Sequence, residues 1–320
     1  MLICPTVFVC CVFHMPSAIS YCGRFAPTPS GPLHFGSLVA ALASALDAAR
    51  AGGQWLLRIE DVDTPRVVSG AGDMILRELE RLGFAWSGPV MWQSARKEAY
   101  QAAFDTLVMR GLIYPCGCSR KEMADSALAT DGSRRYPGTC RAGLPSGKTA
   151  RAWRLRLPPG VVGFDDRIQG RIEEDVSADG GDFVVLRADG VFAYQLAVVV
   201  DDAAQGVTDV VRGADLLAST LRQRLVQQAL GVPAPRYAHV PVVLDESGDK
   251  LSKQTLAAPL SEMPASEALC AALRFLGQAV PPDMAAATVE EIWAFARAVW
   301  DADKVPHSRG IVFSPRCALG

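Results

Sequence analysis

Net charge is almost missing from this chain of 320 residues: 32 lysines and arginines face 34 acids, leaving −2 at neutral pH. The molecule as a whole is therefore no polybasic nucleic-acid binder, although a local basic face would suffice to grip phosphates. No apolar run reaches the roughly 18–20 residues of a bilayer span, so cytoplasmic residence with no membrane contact is expected. The opening MLICPTVFVCCVFHM is apolar but carries no basic segment before it, which makes it a poor secretory signal. Residues 1–20 are read as an N-terminal extension, its residues 1–14 a mis-called start or at best a loose extension, with Met15 just before the first recognisable element. Internal repeats and low-complexity tracts are absent. So is a glycine-rich G-x-G-x-x-G after a strand, and GLPSGKT at 143–149 misses the Walker pattern because Ala142 occupies its first glycine position. The nine cysteines do not make a secreted disulfide scaffold. Cys116, Cys118 and Cys140 cluster in one segment, which points to metal, while the others are scattered.

What is present is an alternation of strand and helix. Residues 21–26 read as a strand, followed by the turn PTPSGPLHFGS and a helix over 36–50 in which Leu38, Leu42 and Leu46 recur every fourth residue. QWLLRI (54–59) is a second strand, ending on Glu60 and Asp61, and helices follow to about Leu82 and over 95–110. This order predicts an α/β domain with a parallel sheet. Between 116 and 190 the chain turns rich in glycine, proline and short alternating segments, as an inserted subdomain would. The α/β pattern resumes with FAYQLAVVVDD, TDVVRG, a helix over 215–230 and the strand HVPVVL. The divisions are thus 21–115 and 191–257 for the two halves of the nucleotide-binding domain, 116–190 for the insertion, and 258–320 for a short, mostly helical C-terminal region.

Two phosphate signals stand out. In PTPSGPLHFGSL, His34, Gly36 and Ser37 lie where a turn enters a helix, whose free N–H groups and positive dipole end favour an anion. Downstream, KLSKQ places Lys250 and Lys253 on a glycine-bearing loop that can close on a polyphosphate and neutralise departing pyrophosphate. GRFAPTPSGPLHFGSL resembles the HIGH-type region of class I aminoacyl-tRNA synthetases, and KLSKQ resembles their KMSKS-type loop. Together with RIEDVDTPR and VVVDD…VVRGADLL, the resemblance narrows to the glutamyl-tRNA synthetase family and covers residues 21–257. Ser37 departs from the motif's final histidine, and Leu251 and Gln254 replace its Met and Ser.

The resemblance implies a Rossmann-like sheet, ATP with Mg²⁺ as substrate, and phosphate contacts from His34, Gly36, Ser37, Lys250 and Lys253, with His34 and Lys253 carrying the catalysis. L-Glutamate would be held by Arg24 with the Phe25, Ala26, Pro27 and Thr28 backbone and by Arg212, each on a carboxylate. Glu60 and Tyr194 would hold its ammonium. The placement suits the carboxyl edge of an open sheet: Arg24 and Glu60 end the first two strands, Tyr194 starts the third segment and Arg212 ends the fourth. Arginine forks bind carboxylates directionally. Asp61 and Asp63 are read as organising this loop and its arginines.

Three thiolates bind Zn²⁺ well but want a fourth ligand, and no histidine lies in their segment. Tyr136 matches a zinc-binding tyrosine of the short glutamyl relatives, so one structural zinc on Cys116, Cys118, Tyr136 and Cys140 is expected. Between 120 and 156, nine lysines and arginines face three acids, the pattern of an RNA footprint. About 65 residues follow the KLSKQ loop, too few for the family's helical anticodon-binding region. The resemblance therefore narrows to short paralogues that activate glutamate without tRNA and transfer it to queuosine at the wobble position of tRNA(Asp), gripping the anticodon stem-loop; a monomer is expected. Two rivals are an ordinary tRNA-charging glutamyl enzyme without its anticodon domain, and a non-catalytic zinc-dependent RNA-binding module.

Overall fold

A computed structural model describes residues 20–124, 126–129, 132, 134–250 and 260–313. The expected extension up to residue 19, and Lys253 with the rest of its loop beyond Lys250, lie outside them.

The first strand, β1 (Cys22–Phe25), leads through the PTPS turn into α1 (Phe35–Arg50), and β2 (Gln54–Ile59) returns parallel to β1. Gly53 makes that return tight: a Cβ there would lie 2.3 Å from the Tyr21 carbonyl oxygen. After α2 (Ala71–Arg81), the short β3 (Met91–Trp92) adds parallel to β2, and α3 (Lys97–Met109) follows. Leu38, Leu42 and Leu46 of α1 are fully buried, as their spacing predicts.

Next come β4 (Ile113–Cys116), α4 (Arg120–Ala124), β5 (Ala152–Leu155), β6 (Val162–Asp166), β7 (Gly170–Glu174), α5 (Val176–Asp179) and β8 (Val184–Leu186). Strands β4, β5 and β8 form a small antiparallel sheet, while the β6–β7 hairpin joins a different one. That second sheet is completed after α6 (Tyr194–Ala204) by β9 (Asp209–Gly213), α7 (Leu217–Leu230) and β10 (Arg236–Val240), in the order β7-β6-β10-β9. Its strands β9, β10 and β6 run parallel. Thr208 stitches it to β1, since its N–H donates to the Cys22 carbonyl and its Oγ1 accepts from the Cys22 N–H.

Two segments differ from expectation. FAYQLAVVVDD, placed among the strand ends, folds as helix α6: Val198 and Val199 are buried, the helix packs on α3 and α7, and this packing overrides the β preference of the valines. HVPVVL is split at Pro241 into β10 and β11 (Val242–Leu244), because proline supplies no N–H to a ladder. The C-terminal α8 (Ala265–Phe275) and α9 (Val289–Val299) share the core of α1 and β2, and β12 (Gly310–Val312) pairs parallel with β11. Trp293 fixes that packing by donating from Nε1 to the Leu82 carbonyl at 2.8 Å.

Candidate active site and cysteine cluster

The N-terminus of α1 is set by His34, which is extended (φ −115°, ψ 170°) and whose Nδ1 accepts from the Ser37 N–H at 3.3 Å. Gly36 leaves room for that ring, since a Cβ would come within 3.2 Å of it. Lys250 pairs with Asp215 at 2.5 Å, so the one described lysine of the KLSKQ loop is anchored at the end of β9.

At the carboxyl ends of β1 and β2 the chain buries a charge network. Arg24 Nε reaches Asp202 Oδ1 at 3.2 Å; Arg58, wholly inaccessible on β2, reaches the same oxygen at 2.8 Å and Glu60 Oε1 at 3.4 Å. Burial alone would raise Asp202, but the Arg24 and Arg58 guanidiniums hold it below the usual carboxylate range. Glu60 goes the other way: burial pushes it up, and the two arginines offset this only in part. The Glu60 N–H donates to the Pro27 carbonyl at 3.0 Å, tying the PTPS turn to the end of β2.

Glu60 of this network opens onto a cavity of about 160 Å³ whose walls also include Thr28, Gln93, Arg187, Ala193 and Tyr194. Of the expected glutamate ligands, Thr28, Glu60 and Tyr194 are thus brought onto one cavity. Arg24 and Arg212 are not on its wall, yet they sit near enough for their charges to act on Tyr194. Burial raises that phenol, Glu60 adds to the rise, and Arg212 and Arg24 oppose it. The Phe25 side chain is core, stacked on Trp55, which leaves its backbone for any ligand.

Residues outside the sequence reading complete the site. Asp202 and Arg58 hold Arg24 and Glu60. Gln93 donates to Asp201 at 2.9 Å while its buried Oε1 has no partner among the described residues, an open acceptor at the cavity wall. Asp61 and Asp63, which the sequence reading did name as loop organisers, are engaged too: Asp61 accepts from the Ser94 N–H and hydroxyl, and Asp63 accepts from Arg66 and Arg187. The signals were an arginine inside the apolar QWLLRI and two adjacent acids ending an apolar run.

The cysteine segment folds around very little apolar material: its buried hydrophobic cluster is Tyr114, Cys116, Tyr136 and Cys140. The Cys116, Cys118 and Cys140 sulfurs lie within 4.8 Å of one another, with Cys118 and Cys140 at 3.7 Å. A tetrahedral ion with metal–sulfur bonds of about 2.3 Å needs sulfurs roughly 3.8 Å apart, so these thiols suit a metal such as zinc. The Tyr136 hydroxyl stands 3.5 Å from Cys116 Sγ and accepts from the Cys140 N–H at 2.8 Å. Burial would raise the Cys116 thiol, but the Cys118 backbone N–H, Tyr136 and Arg154 bring it down to about 7.

The basic run is less free than its composition suggests. Arg141 is bound to the buried Asp182, Lys148 to Glu122, and Arg154 lies over the Tyr136 ring while donating to Cys116 Sγ at 3.3 Å. Arg156 lies over Tyr114. Lys121, Arg134, Arg135 and Arg151 remain exposed. A groove of about 690 Å³ runs past Cys118, Arg134, Arg151, Arg154 and Arg187, and Arg187 is also a wall of the smaller cavity.

A parallel sheet with a helix N-terminus and a buried polar cavity at its carboxyl edge is the arrangement of a nucleotide-binding α/β domain. Residues 22–280 match the family of class I tRNA synthetases (E and Q), catalytic domain; the chain belongs to that family. It is 61% identical over 290 residues to the glutamyl-Q tRNA(Asp) synthetase of Aromatoleum aromaticum, spanning 91% of this chain and 92% of that protein. The enzyme of the same name from Dechloromonas aromatica is 59% identical over 288 residues, or 89% of this chain and 96% of that one. Among solved structures, a glutamate tRNA ligase from Elizabethkingia meningosepticum in complex with its amino acid superposes with a TM-score of 0.77 at 25% identity, covering 93% of this chain and 68% of that one. The expected likeness to the short glutamyl paralogues is borne out. No helix among the described residues is long and apolar enough to cross a membrane.

Proposed function

We propose that the protein activates L-glutamate with ATP, independently of RNA, and passes the glutamyl group to queuosine at the wobble position of tRNA(Asp). The observation that carries this is the identity of about three residues in five, over nearly the full length, to glutamyl-Q tRNA(Asp) synthetases. The rest is our reading of residue roles. Arg24, with the 25–28 backbone, and Arg212 take the two carboxylates, while Glu60 and Tyr194, joined by Gln93, take the ammonium. Two guanidiniums then favour glutamate over glutamine by charge rather than size. The substrate carboxylate attacks the α-phosphorus of ATP and pyrophosphate leaves. The His34 turn with Gly36 and Ser37 positions the nucleotide, and Lys250 and Lys253 oppose the charge on the leaving group. Mg²⁺ bound to the nucleotide would supply further charge neutralisation. In the insertion (116–190), zinc on Cys116, Cys118, Cys140 and Tyr136 would hold the fold, and its exposed arginines would grip the anticodon stem-loop. We place the protein in the cytoplasm, as a monomer.

Pyrophosphate exchange into ATP should need glutamate but no RNA. Transfer should survive removal of the 3′-CCA from tRNA(Asp) and fail on tRNA without queuosine. Glutamate appearing instead on tRNA(Glu), and lost with its terminal adenosine, would establish ordinary aminoacylation.

A further inference from the structure

Arg212 on β9 lies directly opposite His239 on β10 in the parallel ladder, and both are buried. His239 Nε2 stands 3.1 Å from Arg212 Nε, and His239 Nδ1 is 2.5 Å from Asp166 Oδ2 at the end of β6. A guanidinium can only donate, so Nε2 must accept and the imidazole proton must sit on Nδ1, facing Asp166. Arg212 Nη2 is likewise spent, on Thr220 Oγ1 at 2.7 Å and Gln223 Oε1 at 2.8 Å. Only Nη1 has no partner among the described residues, although it is inaccessible to solvent. A buried charged donor left this way is costly unless something binds it.

We propose that Asp166 and His239 are positioning residues that orient Arg212 through its Nε and leave Nη1 set for a carboxylate of the amino-acid substrate. The proposal rests on the reading of Arg212 as a carboxylate ligand. Asp166 is itself fixed, because its Oδ1 accepts from the backbone N–H groups of Ile168, Gln169 and His239 at 3.0, 2.9 and 3.1 Å. It therefore dictates the tautomer of His239. Burial lowers His239 to about 4, with Asp166 pulling it up and Arg212 pushing it further down, so the ring is neutral at physiological pH and keeps its accepting lone pair. The arrangement follows the logic by which a carboxylate behind a histidine fixes which nitrogen carries the proton.

Asp166→Asn separates this from a packing role. The oxygen of the amide must stay where three backbone N–H groups point, so its NH₂ faces His239 Nδ1. That moves the ring proton to Nε2 and sets N–H against N–H at Arg212. In glutamate-dependent pyrophosphate exchange the expected result is a KM for glutamate raised about tenfold or more, with kcat within a few fold, the KM for ATP unchanged, and thermal unfolding still cooperative. His239→Gln offers Arg212 a carbonyl acceptor that needs no tautomer. Asp166→Asn should therefore cost little more when added to His239→Gln, a coupling that a double-mutant cycle measures. An equal KM rise in both backgrounds, or none in the native one, overturns the relay. Arg212→Ala tests the underlying reading separately. If it leaves the KM for glutamate unchanged, Arg212 is no ligand and the proposal falls with that reading. If it raises KM strongly while Asp166→Asn does not, only the relay fails.

Discussion

Around the small cavity, charged groups are buried and neutralise one another: Arg24, Arg58, Glu60 and Asp202 are all below one-tenth exposed. Around the cysteines the proportions reverse, with a hydrophobic cluster of four buried residues and a rim of exposed cations. The first region sits between two large apolar clusters that hold it rigid, so it can leave specific valences open on Arg212 and Gln93 for a ligand. The second has only a small core, and a bound metal would add to it. Burial therefore creates specificity in one region, whereas the other offers, in place of a core, three thiols spaced to hold a metal.

The largest effect should come from removing one of those thiols or any metal they hold. Cys140→Ser, or chelation of the native protein, should release about one zinc and open residues 116–140 to protease. Structural zinc contributes on the order of 10 kcal/mol or more to such folds. Emission spectrometry with limited proteolysis reads both, and metal-free protein with an intact protease pattern would show that the cluster folds unaided. Next, Arg58→Met should cost about 3–5 kcal/mol in urea unfolding, because it strips a counter-charge from the buried Asp202 and Glu60. Arg171, in exposed pairs with Asp165 and Glu173, should be replaceable by alanine with no measurable change. Lys253→Ala should slow activation by roughly 10²–10³, the usual loss for one transition-state donor, with little change in glutamate affinity.

A pH titration of stability sharpens the same contrast. His239 is neutral in the fold down to about pH 4 but takes a proton near 6.5 when unfolded. The unfolded state thus binds more protons in that window. Stability is full above about pH 6.5 and falls toward pH 4 with a slope approaching about 1.4 kcal/mol per pH unit. Calorimetry should show His239→Gln flattening that slope.

The sequence disclosed the two regions unequally. The family resemblance singled out His34, Glu60 and Tyr194, and each stands at a strand or helix end, where the backbone alone determines position. Asp202 and Arg58 stayed unassigned since their roles depend on each other across 144 residues of chain, which no local pattern encodes. The same limit hid His239: it lies within a strand, and only β6 and β9 alongside it reveal what each ring nitrogen meets. Helix α6 was obscured by a valine run whose strand preference lost to packing. In the insertion, counting cations overstated the free positive face, because Asp182 falls beyond the counted window and captures Arg141.

The smallest effect tests what remains of that face. Arg134 and Arg151 are exposed and line the groove that shares Arg187 with the small cavity, whereas Arg141 and Arg154 are already committed to Asp182 and to the cysteine cluster. If RNA lies along this groove, its phosphates meet the first pair and not the second. Reversing Arg134 and Arg151 to glutamate should weaken tRNA(Asp) binding several fold and lower the salt dependence of log K by about two phosphate contacts. Glutamate-dependent pyrophosphate exchange should be unchanged, since neither residue lines the cavity. Arg141→Ala should instead lower stability, leaving Asp182 without its cation while the salt slope stays the same. Should the Arg134 and Arg151 reversal leave the slope intact, RNA approaches by another face, and the groove is a solvated seam between the cysteine cluster and the sheet.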